Sequence, residues 1–155
     1  MATVNLHELR VYQLAMRAGE DVWSLTVGWD WLAQQTVGVQ WVRSADAIAA
    51  NISEGHGRGS SKENVRFCYY ALGSLLQTRT WLEKAAERKL VIDSVARDLS
   101  TKFETLRHQL EGYIVSLDPS APSQSNAVRG ASSGGSIHLL PLEEFFLPRT
   151  DAWHN

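Results

Sequence analysis

The stretch Lys62–Lys89, KENVRFCYYALGSLLQTRTWLEKAAERK, decides the fold. Val65, Cys68, Leu72, Leu75, Arg79, Leu82 and Ala86 follow one another at alternating steps of three and four residues, the repeat of a single helix face. Arg79 alone in that row is not apolar. A second row, Ala71, Ser74 and Thr78, is small, which lets another helix come close. Proline inside a helix costs about 3 kcal/mol. All four prolines, Pro119, Pro122, Pro141 and Pro148, lie beyond this stretch, so the pattern predicts one long helix from Lys62 to Lys89.

Similar patterns lie on both sides. Downstream, Asp93 is placed to cap a helix running to Leu117, with Val95, Leu99, Phe103, Leu106, Leu110, Tyr113 and Leu117 as its core row. Upstream, Trp41, Ala45, Ile48 and Ile52 predict a helix over Gln40–Gly55, stopped by the glycines of GHGRGSSK, residues 55–62. Those glycines are expected to take positive φ, and Ser61 to open the next helix. A first helix is expected over Leu6–Thr26. Leu6, Leu9, Met16 and Trp23 mark its principal face, widened by Val11, Leu14, Ala15, Ala18, Val22 and Leu25. Val27–Val39, with Gly28 and Gly38, reads as a connection whose Trp29 and Trp31 lie near the surface. Four helices joined this way predict an all-α protein, an antiparallel up-down four-helix bundle over residues 1–118 with an extended C-terminal tail.

Residues 119–136 are rich in Ser, Gly and Pro and read as a flexible linker. Residues 137–155 form an apolar segment, and Leu139, Leu140, Phe145, Phe146 and Trp153 are its candidate docking side chains. It is expected to enter a groove on a neighbouring subunit or on another protein.

Composition narrows the function classes. The formal charge is −2, and residues 1–118 carry 13 Lys and Arg against 14 Asp and Glu, unlike a strongly basic nucleic-acid binder. One cysteine, Cys68, allows neither an internal disulfide nor a cysteine-based zinc cluster, and its core-row position predicts an inert thiol. No apolar run is long enough for a membrane span and no signal peptide is evident, so the chain reads as cytoplasmic. GHGRGSSK fails the phosphate-loop pattern, because no Gly precedes Lys62 and Glu63 follows it. Glu104, His108 and Glu111 share one helix face, but that face points away from the core row and is expected to be solvated. No catalytic residue, metal ligand or cofactor is assigned. Arg79, Lys84, Arg88 and Lys89 are the candidate phosphate contacts. The last three also suit a helix C-terminus without any partner.

A polar row accompanies the core of the second helix: Gln40, Ser44, Asn51 and Arg58. The third helix offers Glu63, Arg66, Tyr70, Ser74 and Gln77. Such a pair of rows suits a helix interface that fixes register, and it equally suits an ordinary core boundary. Asn51, Glu54, Arg58, Glu63 and Arg66 are expected to meet in one hydrogen-bonded cluster where the two helices join.

These residues carry a resemblance. QWVRSADAIAANISEGHGR followed by KENVRFCYYALGSLLQTRTWL resembles the family of proteins encoded in intervening sequences of 23S ribosomal RNA genes. The matching positions are Gln40, Arg43, Ala45, Asn51, Ile52, Glu54, Gly55, Gly57, Arg58, Glu63, Arg66, Phe67, Ala71, Gly73 and Ser74. The family pattern usually has Glu where Gln77 stands and Pro where Ala49 stands. The resemblance implies a non-enzymatic antiparallel bundle that assembles into ring-like pentamers. It also implies a second reading, an RNA-binding accessory of a reverse transcriptase in diversity-generating retroelements. Independently of it, Trp29, Trp31 and the second ridges offer more apolar surface than one bundle core uses, which predicts a homo-oligomer. The expected role is a scaffold that engages a macromolecular partner, a protein or RNA.

Overall fold

A computed structural model describes residues 4–120. The expected linker and docking segment, residues 121–155 among them, lie outside the described residues.

Four long helices make up the body: α1 (Arg10–Thr26), α2 (Val39–Gly57), α3 (Ser61–Glu87) and α4 (Asp93–Leu117). No strand occurs among the described residues. Short connections force neighbours to run antiparallel, and α1–α2, α2–α3, α3–α4 and α4–α1 pack laterally to close a bundle. The α2–α3 pair makes the most extensive of these contacts and the α1–α4 pair the least. The α3 and α4 core rows fall where the spacing placed them: Cys68, Leu72, Leu75, Leu82, Leu99, Phe103, Leu106 and Leu110 are buried. Ile114 joins them.

The first helix buries the widening part of the expected face, and two residues of the principal row fall outside it. Met16 and Trp23 are exposed, while Val11, Ala15, Ala18 and Val22 form the buried side. Gly19 lies on the same buried side, next to the Asp46 carboxylate of α2. A 3-10 turn, Leu6–Glu8, precedes α1, with Asn5 accepting from the His7 N–H at 3.0 Å.

The expected connection over Val27–Val39 is mostly helical. Asp30 accepts from the Ala33 N–H at 3.1 Å and starts a helical turn, Trp31–Ala33, which continues as a π-helical turn, Gln34–Gly38, directly into α2. Asp30 is a strong N-cap type. Gly38 is no breaker, because it lies buried in right-handed helical conformation beside Thr26 and Trp29. Trp29 is half-buried, its ring stacked on Trp41 at 5.8 Å, whereas Trp31 is fully at the surface.

The glycine run is shorter as a loop than expected. α2 continues through Gly57, and only Gly59 takes positive φ, at 68°. Ser60, not Ser61, stands at the N-cap of α3, and Ile92, not Asp93, at that of α4, with Asp93 in the first turn. α3 ends in a left-handed residue, Lys89 (φ 58°). The Lys89 N–H donates to the Ala86 carbonyl at 3.0 Å and the Leu90 N–H to the Ala85 carbonyl at 2.9 Å, a Schellman closure. A lysine fills the position that favours glycine.

Candidate functional site

Two features distinguish this bundle from a plain apolar one: a polar seam between α2 and α3, and an open apolar end where α1 meets the start of α2.

The seam is built on close approach. A Cβ at Gly55 would lie 2.8 Å from both Asn64 Oδ1 and Phe67 Cβ, so only glycine fits there. The other two motif glycines, Gly57 and Gly73, have open space around them. With the helices this near, short polar side chains reach across. The Thr78 hydroxyl lies 3.1 Å from Ser44 Oγ, and both are buried. The Asn51 amide donates to the Ala47 carbonyl at 2.9 Å and reaches Ser74 Oγ at 3.4 Å. Each hydroxyl also has a carbonyl one turn back: Trp41 for Ser44, Tyr70 for Ser74, Ser74 for Thr78. The polar atoms are therefore satisfied within the bundle, and a buried, satisfied rung fixes register at little cost.

The expected five-residue cluster divides into local pairs. Arg58 pairs with Glu54 one turn back on α2, and its guanidinium lies 5.1 Å from the Phe67 ring centre. Arg66 lies 3.9 Å from Glu63 and donates to the Tyr70 hydroxyl at 2.7 Å. Asn51 belongs to the Ser74 rung instead. Gln40 and Gln77 are exposed.

The base of α3 holds a polar group that sequence reasoning passed over. Asn64 is buried; its amide donates to the Tyr113 hydroxyl at 3.1 Å, and its carbonyl oxygen accepts from the Cys68 thiol at 3.6 Å. Its signal is spacing, since it stands four residues before Cys68, on the core row. Burial pushes the Cys68 thiol up to about 12 and raises Tyr113 above the usual phenol range. A thiol held protonated is a poor nucleophile.

The face of Glu104, His108 and Glu111 is a salt-bridge ladder rather than a bare solvated row. Arg79 of α3 reaches Glu104 at 3.2 Å, and Arg107 reaches Glu104 at 2.5 Å and Glu111 at 2.6 Å. Hydrogen bonding from Arg107 holds the Glu104 carboxyl below its ordinary range. His108 remains exposed, 3.2 Å from Glu104. No group of three metal-ligating side chains occurs among the described residues. Arg79, proposed from sequence as a phosphate contact, is thus occupied by Glu104, while Lys84, Arg88 and Lys89 stay exposed at the end of α3. The candidate docking residues Leu139, Leu140, Phe145, Phe146 and Trp153 lie outside the described residues.

The open end is the second feature. Trp31 is 74% exposed, Leu32 65%, Val27 58% and Trp23 55%. Trp23 and Val27 line a cleft of about 340 Å³ together with Val39 and Val42, with Gln35 and Arg43 among its polar groups. Trp31 and Leu32 belong to the helical turn Trp31–Ala33 and are not part of that lining. The π-helical turn supplies Gln34, Gln35 and Gly38 to the same lining. The Gln34 amide is spent on the Val27 carbonyl at 2.8 Å, which ties this turn to the end of α1. π turns are rare and gather at functional sites. No helix among the described residues is long and apolar enough to cross a membrane, so these side chains are not part of a transmembrane helix.

Comparison with known proteins agrees with this architecture. A solved protein of unknown function from the S23 ribosomal protein family of Bacteroides thetaiotaomicron is similar at 18% identity, with a TM-score of 0.60 over 67% of this chain and 97% of that one. That likeness concerns the fold alone. No curated protein matches the chain. The model of the 23S rRNA-intervening sequence protein family matches residues 7–112, which takes in α1, α2, α3, most of α4, the polar seam and the open end; the chain belongs to that family.

Proposed function

We propose that the chain is a non-enzymatic, self-assembling helical scaffold or adaptor, a homo-oligomer of five subunits, whose open end engages another macromolecule. One observation carries this reading: four large apolar side chains near the α1–α2 connection, Trp23, Val27, Trp31 and Leu32, stand in solvent, the first two of them lining a cleft. Burying apolar area gains about 25 cal/mol per Å², and contiguous apolar patches mark association sites. The family resemblance supports the number five. Light scattering of the full chain at micromolar concentration tests it. The expected mass is about five times the 17.3 kDa of one chain. Trp31→Glu combined with Leu32→Glu is expected to lower it without loss of helix. A wild-type mass near 17 kDa overturns the reading.

Three exposed cations favour a second reading, an RNA-binding accessory to a reverse transcriptase. Lys84, Arg88 and Lys89 gather at one helix end with no carboxylate partner among the described residues. Assembly multiplies that patch. A gel-shift series over increasing salt separates the readings, since phosphate contacts weaken steeply with salt.

A further inference from the structure

We propose that the cleft at the α1–α2 end is the seat for residues 139–147 of an adjoining copy of this chain. The proposal rests on the self-assembly reading and names what covers the open end. Arg43 lines the cleft, is exposed and makes no hydrogen bond or ion pair among the described residues. Arg58, Arg66, Arg79 and Arg107 each have a carboxylate. The cleft therefore suits bulky apolar groups set beside a carboxylate, packed between the Trp23 ring and Val27, Val39 and Val42. Residues 139–147, LLPLEEFFL, have that composition: Glu143 and Glu144 stand between Leu142 and Phe145, and the segment contains no cation. An aromatic wall with a cation at its edge is the type of pocket that anchors such a segment.

Length allows the bridge. The 21 residues between Leu117 and Leu139 reach about 70 Å when extended. α4, at 25 residues, is about 37 Å long. The cleft of a bundle packed alongside is within that reach whichever end it presents.

The test uses the full chain carrying Phe145→Glu and Phe146→Glu as receiver, and a fluorescein-labelled synthetic peptide of residues 137–153 as probe. Anisotropy is expected to show saturable binding, about tenfold weaker in a receiver that also carries Trp23→Ala. Arg43→Glu is expected to weaken it about fivefold, and a Glu143→Lys, Glu144→Lys peptide to regain that loss. Both cleft residues are exposed, so the receivers keep their helix content. The receiver itself is expected to show a lower assembled mass than wild type. Absence of saturable binding, binding indifferent to both cleft variants, or an unchanged mass overturns the proposal. In the last case an intact wild-type oligomer leaves the scaffold reading standing, whereas a monomeric wild type ends that reading as well.

Discussion

Trp41 and Trp31 stand ten positions apart on one nearly continuous helical run, and they have opposite surroundings. Trp41 is fully buried, stacked on Trp29, with no partner for its indole N–H among the described residues; Trp31 is three-quarters exposed. The same contrast holds for the regions they represent. The α2–α3 seam is closed: a glycine brings the helices together, hydroxyl and amide rungs are satisfied, and the side chains that make those rungs, Ser44, Asn51, Ser74 and Thr78, are small. The α1–α2 end is open: large apolar groups stand in solvent, and Trp23 and Val27 line a cleft whose Arg43 has no carboxylate partner among the described residues. One region spends its side chains on holding the subunit; the other leaves them in solvent, where the proposed assembly would cover them. A bundle of this size already has a contiguous core, so the open end is the part that calls for a functional account.

The largest effect separates the two tryptophans. Trp41→Ala is expected to cost about 3–5 kcal/mol of stability in urea unfolding, whereas Trp31→Ala is expected to stay within about 0.5 kcal/mol and to lower the assembled mass. Equal losses would erase the distinction between seam and open end.

Gly55→Ala comes next. Crowding Asn64 and Phe67 is expected to cost about 1–3 kcal/mol, while Gly73→Ala, at an exposed helix position with free space, is expected to be neutral or slightly stabilising. Similar values for the two would mean that α2 and α3 tolerate a wider spacing than the seam implies.

Alkaline pH probes the base of the seam. The folded Cys68 thiol titrates at about 12 against an ordinary value of 9.0. Above pH 9 the unfolded chain gives up this proton while the folded chain keeps it. Stability is therefore expected to be intact below pH 9 and to fall as pH rises towards 12, with Tyr113 and Tyr69 acting in the same direction above their ordinary value of 10.0. Cys68→Ala is expected to flatten that slope. Native protein is expected to resist thiol alkylation; rapid alkylation at neutral pH would contradict the burial.

The smallest effect lies outside both regions and serves as a control. Lys89→Gly relieves a left-handed residue and is expected to raise stability by about 0.5–1 kcal/mol with no change in assembled mass.

These contrasts were unevenly legible in the sequence. The core rows of α3 and α4 are readable because apolar residues recur there without proline and without a competing row. The seam is readable in part: the small row Ala71, Ser74, Thr78 announces close approach, but which glycine permits it depends on where α2 and α3 cross. Only Gly55 sits at that crossing. α1 carries two overlapping rows, and the row with Met16 and Trp23 looks heavier. The buried row is the one whose small residues fit α2, a choice made by the partner helix and invisible in α1 alone. At the open end, Gly28, Gly38 and two tryptophans imitate a loop, while Asp30 acts as a cap and Gly38 packs inside a helix. The cleft depends on that correction, since the π-helical turn is one of its walls. The cluster around Arg58 and Arg66 divided because i,i+3 and i,i+4 partners on the same helix lie closer than partners across the seam.

Oxidative footprinting of tryptophan in the full-length protein tests the central claim most directly. Peptide mapping after brief exposure to hydroxyl radicals compares wild type with a Val27→Glu, Leu32→Glu variant, both intact in helix content. Trp41 is expected to be protected in both, and Trp23 and Trp31 to be protected in the assembled wild type and oxidised in the variant. Equal oxidation of Trp31 in the two proteins would contradict the assignment of the open end as an association surface.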